Sequence, residues 1–206
     1  MKILFVTLLS SVSLGTAAEA PAPQSYPPVT IGDPAPPIQI GEWVKGAPVS
    51  DLEKGKVYVL DFWSTWCIPC LSAMPETTAL QRKYPDVIVL GLTSLDKFGN
   101  TEVAVKKIVA SKGDAIGFRI GIDAESESAK GYQGVFKGRT VEAYLGGAKI
   151  PAIPATFVID KKGRVAFIGH PLEIDDVVAK CLEETWDLNE ARAQRVTRVE
   201  AQQTLS

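Results

Sequence analysis

Trp66-Cys67-Ile68-Pro69-Cys70 follows directly on Lys56-Val57-Tyr58-Val59-Leu60-Asp61-Phe62-Trp63, and that junction constrains the fold more than any other stretch of the chain. The first run is apolar and β-branched, as a buried strand requires. Pro69 favours a helical first turn just beyond it. The chain therefore passes from strand to helix within a few residues, with Cys67 at the helix N-terminus and Cys70 one turn further along the same side. There the unpaired backbone N–H groups and the positive end of the helix dipole favour a thiolate, which is the nucleophile. The pair reads as a dithiol that makes and breaks a disulfide. The same spacing is half of a zinc knuckle. With only three cysteines and one histidine in the chain, a four-ligand site of these types needs Cys67, Cys70, Cys181 and His170 to converge.

A chain of 206 residues that is 46% hydrophobic can bury one ordinary core, and nothing in it suggests two. The formal charge of −2 argues against a nucleic-acid footprint. Residues 1–18 have the order of a secretory signal peptide: Lys2, an apolar stretch from Ile3 to Leu14, then Thr16-Ala17-Ala18 as a small-residue cleavage site. The apolar stretch is short for a bilayer core of about 30 Å, and no cysteine follows the cleavage region to carry a lipid. An exported protein without stable membrane insertion after cleavage is expected, in the periplasm or secreted, where structural disulfides are allowed.

Residues 19–37 hold seven prolines and are expected to be a linker or extended arm. A domain is expected over 38–186, opening with a short hairpin around Ile38–Trp43. After the cysteines a helix should run to Lys83, with Pro75 as a kink, followed by a strand from Val87 to Thr93. Asn100 or Thr101 can cap a helix to Lys112, and Phe118–Ile122 is a further strand. The segment 123–148, rich in small and polar residues, is expected to be a surface insertion with a short helix around Val141–Leu145. Thr156–Asp160 and Arg164–Ile168 form a hairpin across Lys161-Lys162-Gly163. Ile174, Val177, Val178, Cys181 and Leu182 fall at helical spacing. Residues 187–206 are expected to be a polar tail, helical or frayed. Strands alternating with helices and a terminal hairpin imply an α/β fold with a mixed sheet.

Asp61-Phe62-Trp63-Ser64-Thr65-Trp66-Cys67-Ile68-Pro69-Cys70, then Pro75, then Ile153-Pro154-Ala155-Thr156-Phe157-Val158-Ile159-Asp160 resemble the thioredoxin fold in its exported TlpA/ResA-type redoxin branch. The resemblance covers about residues 29–184 and implies a central mixed sheet flanked by helices, here with an N-terminal extension and a central insertion. It also implies a cis peptide before Pro154, facing the dithiol, and pairing of the Ile153 backbone with an extended substrate strand. Cys67 would attack a partner disulfide and Cys70 would resolve the mixed disulfide. Asp61 matches the buried acid of thioredoxin, which takes the Cys70 proton. Ala73 stands where relatives closer to ResA carry a glutamate, so the proton route resembles that of thioredoxin. Trp66 and Pro69 would contact substrate, and His170 would lie at the dithiol rim by analogy. Trp63 reads as core packing, and Cys181 as a buried free cysteine.

The expected function is a thiol-disulfide oxidoreductase that reduces disulfides of exported proteins, with electrons from a membrane thiol carrier and no cofactor beyond its two cysteines. Two alternatives differ in kind. A thiol peroxidase of the redoxin type needs a PxxxTxxC pattern, whereas Leu60 stands at the proline position and Ser64 at the hydroxyl position. A copper or zinc carrier would use Cys67, Cys70 and His170.

Overall fold

The computed structural model describes residues 27–127 and 131–203, so the signal-peptide expectation for 1–18 lies outside the described residues. The elements in chain order are β1 (Ile40–Lys45), β2 (Tyr58–Phe62), α1 (Ile68–Lys83), β3 (Ile88–Thr93), α2 (Glu102–Lys112), β4 (Arg119–Asp123), α3 (Arg139–Val141), β5 (Ala155–Ile159), β6 (Val165–Gly169), α4 (Asp175–Glu183) and α5 (Leu188–Gln203). A π-helical turn, Glu142–Gly146, continues α3.

The strands form one mixed sheet in the order β1-β4-β3-β2-β5-β6. β2, β3 and β4 run parallel. β1 is antiparallel to β4, and β5 is antiparallel to both β2 and β6. β2 is buried along its whole length because both faces of the sheet are covered. Alternation of side chains along it divides the core in two. Val57 and Val59 pack with Met74, Val105 and Val178 beneath the helical layer of α1, α2 and α4. Tyr58, Leu60 and Phe62 pack on the opposite face with Val141, Tyr144 and Phe157.

α1 runs unbroken through Pro75, which is exposed, so water can serve the Leu71 carbonyl that its ring cannot. Arg82 and Lys83 in its last turn suit the negative end of the helix dipole. Thr101 rather than Asn100 caps α2, accepting from the Ala104 N–H at 3.2 Å.

Three expectations need correction. The leading hairpin is a single edge strand, β1, whose partner is the distant β4. The segment 123–148 is not a surface insertion. The buried Asp123 carboxylate accepts from the N–H groups of Thr140 at 3.0 Å and Val141 at 2.7 Å, fixing the start of α3 against the end of β4. Tyr144 then stacks edge-on to Phe157 at 5.0 Å and donates its hydroxyl to the Pro36 carbonyl at 2.6 Å. The polar C-terminal stretch is a docked helix: α5 buries Ala191 in the second core, and Arg192 donates to the Ile31 carbonyl at 2.7 Å.

Residues 27–37 form an extended arm along the same face. Val29 and Ile31 are buried, and the Gly32 and Ala35 N–H groups donate to the carbonyls of Val165 and Gly163. Among the described residues no helix is long and apolar enough to cross a membrane.

Candidate active site

Pairing register gathers the candidate residues at one end of the sheet. Phe62 faces Ala155 across the β2–β5 pair, and Thr156 faces Gly169 across β5–β6. The residues one step beyond these rows are Trp63, Pro154 and His170, so β2, β5 and β6 deliver all three to the edge at which α1 begins. The Ile153–Pro154 peptide bond is cis.

Cys67 and Cys70 form a disulfide, with S–S 1.97 Å and Cα atoms 5.2 Å apart. Cys67 is the N-cap of α1, and its Sγ accepts from the Cys70 N–H at 3.3 Å. The two are almost equally buried, at 4% and 3% exposure, so exposure does not distinguish them. Position does: after reduction, the Cys67 sulfur keeps the helix N-terminus and an aimed N–H donor, both of which favour a thiolate. Trp66, Ile68 and Pro69 beside them are exposed.

Asp61 lies on the α1 face of β2. Its Oδ1 accepts from Thr156 Oγ1 at 2.9 Å and its Oδ2 from Thr77 Oγ1 at 3.5 Å, the latter hydroxyl also reaching the Ala73 carbonyl at 3.3 Å. Burial pushes the Asp61 carboxyl up to about 7, against the lowering effect of the Thr156 and Thr77 hydroxyls. A carboxyl so placed is half-ionised near neutral pH and can accept or release a proton there. Its partners are the two threonines rather than Cys70, so a proton passing between Asp61 and Cys70 needs a local movement or a bridging water.

Trp63 is buried in the same core cluster as the two cysteines, and its indole N–H has no hydrogen-bond partner. His170 caps the turn Pro171–Glu173, its Nδ1 accepting from the Leu172 N–H at 3.3 Å. It shares a cleft with Pro154, and neither cysteine lines that cleft. Cys181 is far from this edge: it neighbours Asp160 and Arg164, at the opposite end of β5 from Pro154. The four-ligand convergence therefore does not occur. Among the described residues no group of three or more metal-ligating side chains is placed to hold an ion.

Two residues not singled out for the site belong to its scaffold. Asn100 is fully buried, and its amide donates to Thr93 Oγ1 at 2.7 Å and to the Ser94 carbonyl at 2.5 Å. Its Oδ1 accepts from the Thr65 N–H at 2.9 Å, tying the β3–α2 loop to the turn before Cys67. Asp96 accepts from Trp66 Nε1 at 2.7 Å through one oxygen, and from the N–H groups of Phe98 and Asn100 through the other. The signal available in the sequence was their place after a parallel strand, at the carboxyl end of the sheet where sites in such folds gather.

A model of the AhpC/TSA family matches residues 31–168. Protein FixW of Rhizobium leguminosarum is 28% identical over 163 residues, 77% of this chain and 68% of that protein. The thiol-disulfide oxidoreductase ResA of Bacillus thuringiensis strain Al Hakam is 33% identical over 137 residues, 62% of this chain and 68% of its own. Among solved structures, a thiol-disulfide isomerase from Corynebacterium glutamicum superposes with a TM-score of 0.58 at 24% identity, covering 74% of this chain and 97% of that one. A thioredoxin-family thiol:disulfide interchange protein from Chlorobium tepidum gives 0.54 at 27% identity, covering 73% and 96%.

Proposed function

Since the chain belongs to the AhpC/TSA family, in its ResA-type redoxin branch, we propose that it is a thiol-disulfide oxidoreductase that reduces disulfides of exported proteins. The observation that carries this reading is the Cys67–Cys70 disulfide at the N-terminus of α1, with the Cys70 N–H aimed at Cys67 Sγ.

In the reduced protein the Cys67 thiolate attacks one sulfur of a substrate disulfide. A bond forms between Cys67 Sγ and that sulfur, and the other substrate sulfur leaves as a thiolate. Cys70 then loses its proton and attacks Cys67 Sγ. The second substrate sulfur departs, and the Cys67–Cys70 disulfide is restored. Two electrons have passed to the substrate, so a dithiol donor must reduce the pair before the next cycle. Asp61, with its carboxyl near 7, is the buried group suited to take the Cys70 proton. Trp66, Pro69 and the Ile153–Pro154 edge are the substrate-facing groups of this scheme. The compartment proposed is the periplasm or the cell exterior, with a membrane thiol carrier as donor, in keeping with the leader-like residues 1–18. A peroxidase reading is disfavoured because Leu60 stands where that pattern needs proline.

Turbidity of insulin reduced with dithiothreitol as donor tests the scheme. Wild type should accelerate precipitation and Cys67→Ser should not. A Cys67→Ser protein with wild-type activity would overturn it.

A further inference from the structure

The cleft shared by Pro154 and His170 encloses about 740 Å³. One wall is the edge of the sheet, with Pro154, Ala155 and His170, and the other is α5, with Arg195 and Val196. Its charges are unevenly matched. Arg198 is paired with Glu173 at 2.6 Å. Arg195 is half-buried and spans two neutral acceptors, the Ile168 carbonyl at 3.3 Å and the Ala148 carbonyl at 3.4 Å. Among the described residues Arg195 and Lys149, which also lines the cleft, form no ion pair, and Glu200 is the remaining acid there. Burial and the neighbouring Arg198 both disfavour the charge on Arg195, and the opposite charge of a carboxylate entering the cleft would offset them.

We propose that this cleft receives an acidic side chain, aspartate or glutamate, from the polypeptide segment flanking the substrate disulfide, with Arg195 as its counter-charge. This rests on the thiol-disulfide reading given above and adds a substrate preference to it. A segment whose disulfide lies at the N-terminus of α1 and whose chain continues past Pro154 enters the cleft, because register brings both to the same end of the sheet. The cleft has the volume of a ligand site, and a guanidinium bonded only to carbonyls has donors left for a carboxylate.

The test uses the oxidised protein and two oxidised, fluorescently labelled peptides, one with glutamates flanking its disulfide and one with glutamines, with binding followed by anisotropy. Both partners are disulfides, so no exchange occurs during the measurement. Wild type should bind the glutamate peptide about fivefold more tightly, and rising salt should erode the preference. Arg195→Gln should abolish it and Arg195→Lys should retain most of it. Val196→Glu, which leaves the carbonyl contacts of Arg195 in place, should reverse it. Equal affinity of wild type for both peptides overturns the proposal, as does a preference unchanged in both Arg195→Gln and Val196→Glu. Reduction of 2-hydroxyethyl disulfide, uncharged and too small to reach the cleft, should proceed at one rate in all of these proteins. Failure of wild type there would count against the dithiol chemistry, while the binding result still decides the cleft.

Discussion

Asp61 and Thr156 face one another across the β2–β5 pair, and the Thr156 hydroxyl donates to the Asp61 carboxylate at 2.9 Å. The strand that leads to Cys67 and the strand that begins after Pro154 thus share one buried acid. A change at either residue is felt on both sides of the site.

Asp61→Asn should raise stability and slow catalysis. The folded carboxyl, near 7, lies above the ordinary value of 3.8, so the folded state binds the proton more tightly than the unfolded chain does. Its contribution to stability is full below 3.8 and is lost as the pH rises through 7. Above that pH the variant should be more stable than wild type by about 2–4 kcal/mol, with the difference vanishing in acid. Urea denaturation across this range measures it. Resolution of mixed disulfides should slow in the same variant, read by the lifetime of the trapped complex after acid quench.

Cys70→Ser should accumulate a covalent complex with a protein substrate, because attack by Cys67 continues while release does not. Non-reducing electrophoresis should show the adduct, and dithiothreitol should remove it. Cys67→Ser should give none.

Cys181 should be the last thiol to react in the native reduced protein. It is 2% exposed, and burial pushes its thiol up to about 12, with the Asp160 carboxylate adding to the rise. Timed iodoacetamide labelling with mass spectrometry checks this, and Cys181 should label at the other cysteines' rate only after denaturation.

Asp96→Asn should free the Trp66 indole while leaving an acceptor for the Phe98 and Asn100 N–H groups. Asp96→Ala should remove both and cost about 1 kcal/mol more. The Nε1–H resonance of Trp66 should lose its downfield shift in both variants. The KM for a protein substrate should rise in both, with little change for 2-hydroxyethyl disulfide.

What was legible in the sequence is what local pattern encodes. Val87–Thr93 is apolar and bounded by turn residues, and β3 lies within it. The cysteine pair after an apolar run announced its strand-to-helix junction. The pairing of β1 with β4 was not legible, because it joins Trp43 to Gly121 across most of the domain. Segment 123–148 looked polar because its anchor is a long-range one, the Asp123 carboxylate on the α3 N–H groups. α5 carries no strong apolar stripe: it is held largely by Arg192 and Arg195 on backbone carbonyls, contacts with no periodic signature. Asn100 read as a cap, and only the folded chain brings its side chain to Thr65. His170, placed at the dithiol rim by analogy, lies at the same end of the sheet and lines a cleft with Pro154, a neighbour that only the strand pairing reveals.

The Cys67–Cys70 bond joins residues three apart, within one turn of α1. A loop that short restricts the unfolded chain by only about 2 kcal/mol, against nearly 5 for a loop of 100 residues. The arm, the sheet and α5 are fastened to one another by hydrogen bonds, packing and the Arg192–Asp33 ion pair, with no sulfur crossing between elements among the described residues. Breaking the bond therefore leaves the architecture standing, and each turnover throws a switch without removing a strut.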